Sequence, residues 1–271
     1  MLWLLLSCDA SQITPVGFSL EPVDLGEARV TDEGMDPSDG DAAGLAFAAV
    51  MPGWEGGGLP PWDVPAAIWE IALHERVADE GVCPFVTLDG GDATYQSGCR
   101  SKHGYEWEGT AKVTRSDEDG IERERWDYEL SVVGDIDDAR FERLSLQGAV
   151  ARAVDGDLTH VDVNLQVELL GYFEARNVED VRTTSWSDWR ASGSIEQEGE
   201  AFALSLNADV GGSGGFTLAG EELSTSEGCP VEPTGTATMG DGVEAHFEGA
   251  EACDACATII DGEATTAACA P

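Results

Sequence analysis

The sequence predicts a mainly β protein: an antiparallel meander in a strongly curved or barrel-like sheet, with one helix on its N-terminal side and a small disulfide-stapled β unit at its C-terminus. Three observations predict this fold. Long stretches alternate apolar and polar residues with a period of two, turn-forming residues separate them without intervening helical segments, and cysteines stand symmetrically about glycine-containing turns.

In chain order, residues 9–61 are acidic and rich in Gly and Pro, with Asp32, Glu33, Asp36, Asp39 and Asp41 close together, and they read as a tether. Within that stretch residues 42–51 are apolar enough to dock or to form a short helix, and Trp54, beside Gly56 to Gly58, reads as an exposed aromatic. Residues 63–80 predict a helix: Asp63 can cap it, Pro65 is tolerated in its first turn and Gly81 can end it. Ile68, Ile71 and Ala72 would form its inner face, lying across a sheet.

Alternation then takes over. Tyr105, Trp107, Gly109, Ala111 and Val113 share one face of a strand, as do Trp126, Tyr128, Leu130 and Val132. The sets Val161 to Leu169 and Phe202 to Val210 repeat the pattern. Turn-rich runs at 116–120, 135–138, 155–157, 197–200 and 211–215 separate these strands, which at nine to eleven residues are long enough to curl. Trp186 and Trp189 could stack on a sugar, but in a strand they face opposite ways, so at least one belongs to the core.

Opposed residues in a hairpin have sequence numbers with a constant sum, so cysteine spacing tests for staples. Cys83 and Cys99 are symmetric about Gly91, Cys229 and Cys253 about Asp241, and Cys256 and Cys269 about the Gly262–Glu263 bond. The first pair implies a three- or five-residue loop and the third a two-residue type II′ turn. Pro230 and Pro233 require the second hairpin to begin irregularly. The competing reading makes Cys253-Asp254-Ala255-Cys256 a zinc knuckle completed by Cys229 and Cys269, or a redox dithiol. The strand-like neighbours argue against a redox motif, which needs a helix N-terminus.

Charge restricts the partners. With 53 acidic residues against 14 basic ones the net charge is -39, so nucleic acid, which demands clustered Lys and Arg, is a poor partner. The sequence contains no nucleotide loop, Gly-x-Ser-x-Gly elbow or His-Glu-x-x-His motif, and His74, His103, His160 and His246 are scattered. Asp36, Asp39 and Asp41 offer oxygens at the short spacing that suits Ca²⁺, without the closing glutamate of an EF-hand.

The run Leu5-Leu6-Ser7-Cys8 resembles a bacterial lipobox, which implies cleavage before Cys8 and a diacylglycerol on its thiol. No Lys or Arg precedes the apolar run, as would follow if translation starts upstream of Met1. The division expected is therefore 1–8 signal and anchor, 9–61 tether, 62–227 helix plus antiparallel β domain, and 228–271 cysteine-rich β extension. With the Gly-x-Cys-Pro start at 81–84, the similar Glu227-Gly228-Cys229-Pro230 and the Cys-Asp-x-Cys end, the chain resembles uncharacterised acidic, cysteine-containing secreted lipoproteins of myxobacterium-like bacteria. That resemblance implies an extracytoplasmic, lipid-anchored place in the bacterial cell envelope and no known activity. The expected function is a noncatalytic binding or surface-interaction module with a protein or glycan ligand. The alternatives are a carrier of an apolar ligand in a curved β-sheet cavity and a carboxylate-based hydrolase.

Overall fold

A computed structural model describes residues 20–30, 35–54, 83–100, 105–134, 142–173, 183–211 and 214–270. Its centre is a run of long strands: β4 (Glu106–Glu118), β5 (Ile121–Val133), β6 (Arg143–Asp155), β7 (Leu158–Phe173), β8 (Thr183–Glu198), β9 (Ala201–Val210) and β10 (Gly215–Ser226). Ahead of them stand β1 (Phe85–Asp89), β2 (Asp92–Gln96) and β3 (Cys99–Arg100); β11 (Cys229–Met239), β12 (Val243–Glu248), β13 (Cys256–Asp261) and β14 (Ala264–Cys269) follow. All fourteen belong to one antiparallel sheet, open between β1 and β14, and each strand pairs with the next except that β2 skips the short β3 to pair with β4. There β2 and β3 run successively along β4, interrupted at Ser97 and Gly98, whose N–H groups donate to Gly109 and Trp107.

The period-two sets form the inner face. Trp107, Ala111 and Val113 on β4, Trp126 to Val132 on β5 and Phe202 to Ala208 on β9 are buried at alternate positions, as expected, and Val161, Val163, Leu165 and Val167 continue this face on β7, whose other face is covered too. The same parity on β6, β8, β10 and β12 adds Leu144, Leu146, Trp189, Ile195, Leu218 and Phe247, so one core runs through the sheet. Each large side chain removed from water here is worth roughly 1.5–3 kcal/mol. The outer face of β5 carries Arg123, Arg125, Asp127 and Glu129, the reverse of the apolar exterior that a membrane barrel requires.

The cysteine-rich end continues this sheet: Gly220 pairs with Ala237, and the β11–β12 ladder takes hold at Thr234, beyond both prolines. The described part of the presumed tether is docked. Helix α1 (Gly40–Val50) lies against β9 and β14, with Phe47, Trp54 and Phe247 of β12 packed edge-on at 5.3–5.4 Å. Trp54 is 3 % exposed, which corrects its reading as a surface aromatic: the turn after α1 folds it back onto Phe47. Gly44 permits the close crossing, since a Cβ there would fall 2.2 Å from the Cys269 carbonyl oxygen. The helix expected at 63–80 lies outside the described residues, and among those described no helix is long and apolar enough to cross a membrane.

Candidate functional site

Register places the charged side chains at the hairpin end of β4, β5 and β6. Arg115 stands opposite Glu124, and Glu124 opposite Arg152, on the face that further along holds Trp126 and Val150. Beyond Val113, Trp126 and Val150 the same parity continues with Arg115 and Asp117 on β4, Glu124 and Glu122 on β5, and Arg152 then Val154 on β6. The result is a cleft of about 530 Å³ lined by Arg115, Asp117, Glu122, Arg123, Glu124 and Arg152.

Its electrostatics divide into a satisfied half and an unsatisfied one. Glu124 accepts from Arg115 Nε at 2.6 Å and from the Trp126 indole N–H, so both its oxygens are engaged. The Arg115 guanidinium also lies over the Trp126 ring, 5.6 Å from its centroid, and Trp126 stacks between Tyr95 and Tyr128. This ladder fixes the cleft's wall. Towards the turn Asp117 faces Glu122 in register, a like-charge pair that costs stability, while Arg123 stands on the opposite face of β5, where its buried Nη1 has no hydrogen-bond acceptor among the described residues.

A second polar cluster sits on the outer face of β7. His160 is 3 % exposed and bridges two carboxylates, with Nε2 at 2.9 Å from Asp162 Oδ1 and Nδ1 at 2.9 Å from Glu196 Oε1. The hydrogen bond to Asp162, followed by its charge and by Glu196, raises the imidazole pKa despite the opposing effect of burial. Residues 20–30 cover this cluster. Val23 N–H donates to Asp162 Oδ2, Arg29 N–H to Asn164 Oδ1, and the Asn164 amide donates to the Leu25 and Glu27 carbonyls. Covered on both faces, β7 is buried from His160 continuously to Leu165.

The cysteine residues are where spacing put them. Cys83–Cys99, Cys229–Cys253 and Cys256–Cys269 are disulfides with Cα separations of 5.7, 5.6 and 4.0 Å, so none is left for a zinc knuckle or dithiol. One detail differs from expectation. The first hairpin turns on two residues, Gly90 and Gly91, because Asp89 pairs with Asp92, and Cys99 belongs to β3 rather than to the partner of β1. In the third hairpin Gly262 has φ +58 and Glu263 is not left-handed, which fits the type II′ turn.

The candidate calcium ligands serve the backbone. Asp39 caps α1 by accepting from the Asp41 and Ala42 N–H groups, Asp36 accepts from the Ser38 hydroxyl and N–H, and Asp41 lies in the first helical turn. Among the described residues no group of three or more His, Cys, Asp or Glu side chains is placed to hold a metal ion. Trp189 is core at 1 % exposure, whereas Cys8 and the Trp186 side chain lie outside the described residues.

Sequence reading missed the arginine cleft and the His160 cluster. The first is built by pairing across β4, β5 and β6, which brings Arg115 and Arg152 to either side of Glu124, so no single stretch of sequence shows it. For the second, His160-Val161-Asp162-Val163-Asn164 reads as an ordinary half-exposed strand, and nothing nearby announces its cover from 139 residues away. No family model, curated protein or solved structure matches this chain.

Proposed function

We propose that this protein is a noncatalytic binding module of the bacterial cell envelope, anchored through a lipid on Cys8. The charged cleft at the hairpin end of β4–β6 carries the reading: a recess of about 530 Å³ on a rigid sheet, of the size that small-ligand sites occupy. Three disulfides support the address, since they persist in oxidising compartments. An apolar carrier has weaker support, because this cleft is lined by charge while Trp107, Trp189, Phe202 and Leu165 are packed away inside. Two measurements test the proposal. Intact mass of the unreduced protein from its native membrane fraction should show a lipid on Cys8 and no reactive thiol among the other six cysteines. The disulfide-intact chain on a glycan and peptide array should capture a ligand without converting it. An unacylated cytosolic product with free thiols would remove the address, and turnover of a captured ligand would remove the noncatalytic role.

A carboxylate-based hydrolase is the second reading, favoured by Asp117 and Glu122 side by side in register in the lining of the same cleft. It requires chromogenic glycosides to be cleaved by the native chain and spared by Asp117→Asn and Glu122→Gln.

A further inference from the structure

We infer that a second recess, where residues 20–30 meet the outer face of β4–β6, binds a free α-amino acid through its carboxylate and its ammonium group. This recess lies on the other side of the sheet from the inner-face cleft and measures about 350 Å³, at the low end of the range for small-ligand sites. Leu25, Arg29, Lys112, Arg125, Asp127 and Glu129 line it. Three bases against two acids reverse the balance of a chain in which acids outnumber bases 53 to 14, and Lys112 is one of only two lysines.

The central pair of the recess is closed, and the groups around it are open. Arg125 grips Asp127 with Nε and Nη2 at 2.9–3.2 Å, and Lys112, which faces Asp127 in register, makes no ion pair with it. Arg100, Arg115, Arg125 and Arg143 pair with carboxylates, whereas Arg29 and Lys112 pair with none among the described residues. Arg29 is nonetheless held in place. Its backbone N–H donates to Asn164 Oδ1 at 3.2 Å, and its Nε lies so close to β6 that a Cβ on Gly148, at φ +121, would fall 2.8 Å from it. Glu129, exposed two positions beyond Asp127, offers a carboxylate that none of the described ion pairs uses.

Two open cations and one open carboxylate in a recess of this size match a zwitterion. A planar carboxylate can take two parallel hydrogen bonds from the Arg29 guanidinium with Lys112 as a further positive charge, and an ammonium group can donate to Glu129. A net-neutral ligand also escapes the repulsion that a charge of -39 exerts on anions. Half-buried Leu25 gives the recess an aliphatic wall, which suits an aliphatic side chain.

The experiment is calorimetric titration of the full, disulfide-intact chain with L-leucine, with its methyl ester, which lacks the carboxylate, and with N-acetyl-L-leucine, which lacks the ammonium group. Leucine is expected to bind with a Kd of about 1 mM or below, and each derivative roughly tenfold more weakly. Arg29→Gln and Lys112→Gln should each weaken leucine roughly tenfold without weakening the methyl ester, and Glu129→Gln should weaken leucine without weakening the N-acetyl derivative. All three side chains are exposed, so these substitutions leave the core intact, and near-ultraviolet circular dichroism identifies any variant that misfolds. Arg143→Gln, at the start of β6, should bind as the parent does. Because Arg29 belongs to the covering segment, bound leucine should also slow proteolysis within residues 20–30. Leucine bound no more tightly than its two derivatives would overturn the amino-acid assignment. Unchanged affinity in the Arg29 and Lys112 variants would overturn the site. Neither heat nor protection at about 10 mM leucine would overturn both, while the inner-face cleft stands or falls by array capture.

Discussion

Asp162 accepts the backbone N–H of Val23 at 2.7 Å across 139 residues of chain, and two positions along the same strand Asn164 holds Leu25, Glu27 and Arg29. A segment that composition assigns to a tether is thus hydrogen-bonded onto the centre of the sheet. Asn164→Ala removes three hydrogen bonds and strands their backbone partners, so it should cost about 2–3 kcal/mol. Urea denaturation measures that loss, and limited proteolysis should shift towards cleavage within residues 20–30 while the disulfide-bonded sheet stays intact.

His160 makes the stability of this attachment depend on pH. Asp162 on its own strand and Glu196 on β8 face it directly, and the Ala153 position on β6 brings no charge. Because its folded pKa is raised, the contribution is fully present below the unfolded value of about 6.5 and is lost as pH rises through the folded pKa. His160→Gln should therefore destabilise most at pH 5–6, by about 3 kcal/mol, the usual cost of breaking a buried pair. Thermal unfolding of parent and variant across pH 5–9 should show the gap between them narrowing as pH rises. A gap constant in pH would mean that His160 folds and unfolds neutral.

What was legible in the sequence follows the range of the forces involved. Alternation at Trp126 to Val132 reports one-sided burial within a single strand, and the sums 229 + 253 and 256 + 269 report turn geometry; both are local and both hold. The first cysteine pair holds even though its implied register was off by one, since a disulfide tolerates Cα separations of roughly 4.4–6.8 Å. The candidate cleft was not legible because Arg152 meets Glu124 only through pairing across strands, and the N-cap role of Asp39 was not legible because an N-cap and a metal ligand use the same oxygen in the same sequence context.

Glu232 is 1 % exposed and accepts from four backbone N–H groups, Glu248 and Gly249 through one oxygen, Asp254 and Ala255 through the other. A buried carboxylate so placed fastens the turns on either side of Cys253. Glu232→Gln keeps the shape but replaces one acceptor oxygen with a donor, setting N–H against N–H, and should cost about 3 kcal/mol. A fall in melting temperature with the disulfides still formed is the expected result. Parent-like stability would show that one pair of these four N–H bonds contributes little, since a Gln oxygen can accept from only one pair whichever way the amide is turned.

The disulfides should open in an order set by access, since a thiolate must reach a sulfur before exchange occurs. Cys229 is fully buried, which shields the Cys229–Cys253 bridge on one side, and Cys83 is 5 % exposed. Cys269 lies exposed on the terminal strand, with Cys256 half-buried opposite it. Under graded reductant with trapping by alkylation, Cys256 and Cys269 should label first and together, ahead of the other four. Each bridge closes a loop of 13 to 24 residues, worth about 3 kcal/mol, so a Cys256→Ala, Cys269→Ala chain should stay folded but melt lower. It should also loosen α1, because Gly44 packs directly on the Cys269 carbonyl, and faster amide exchange across residues 40–50 would register that loss.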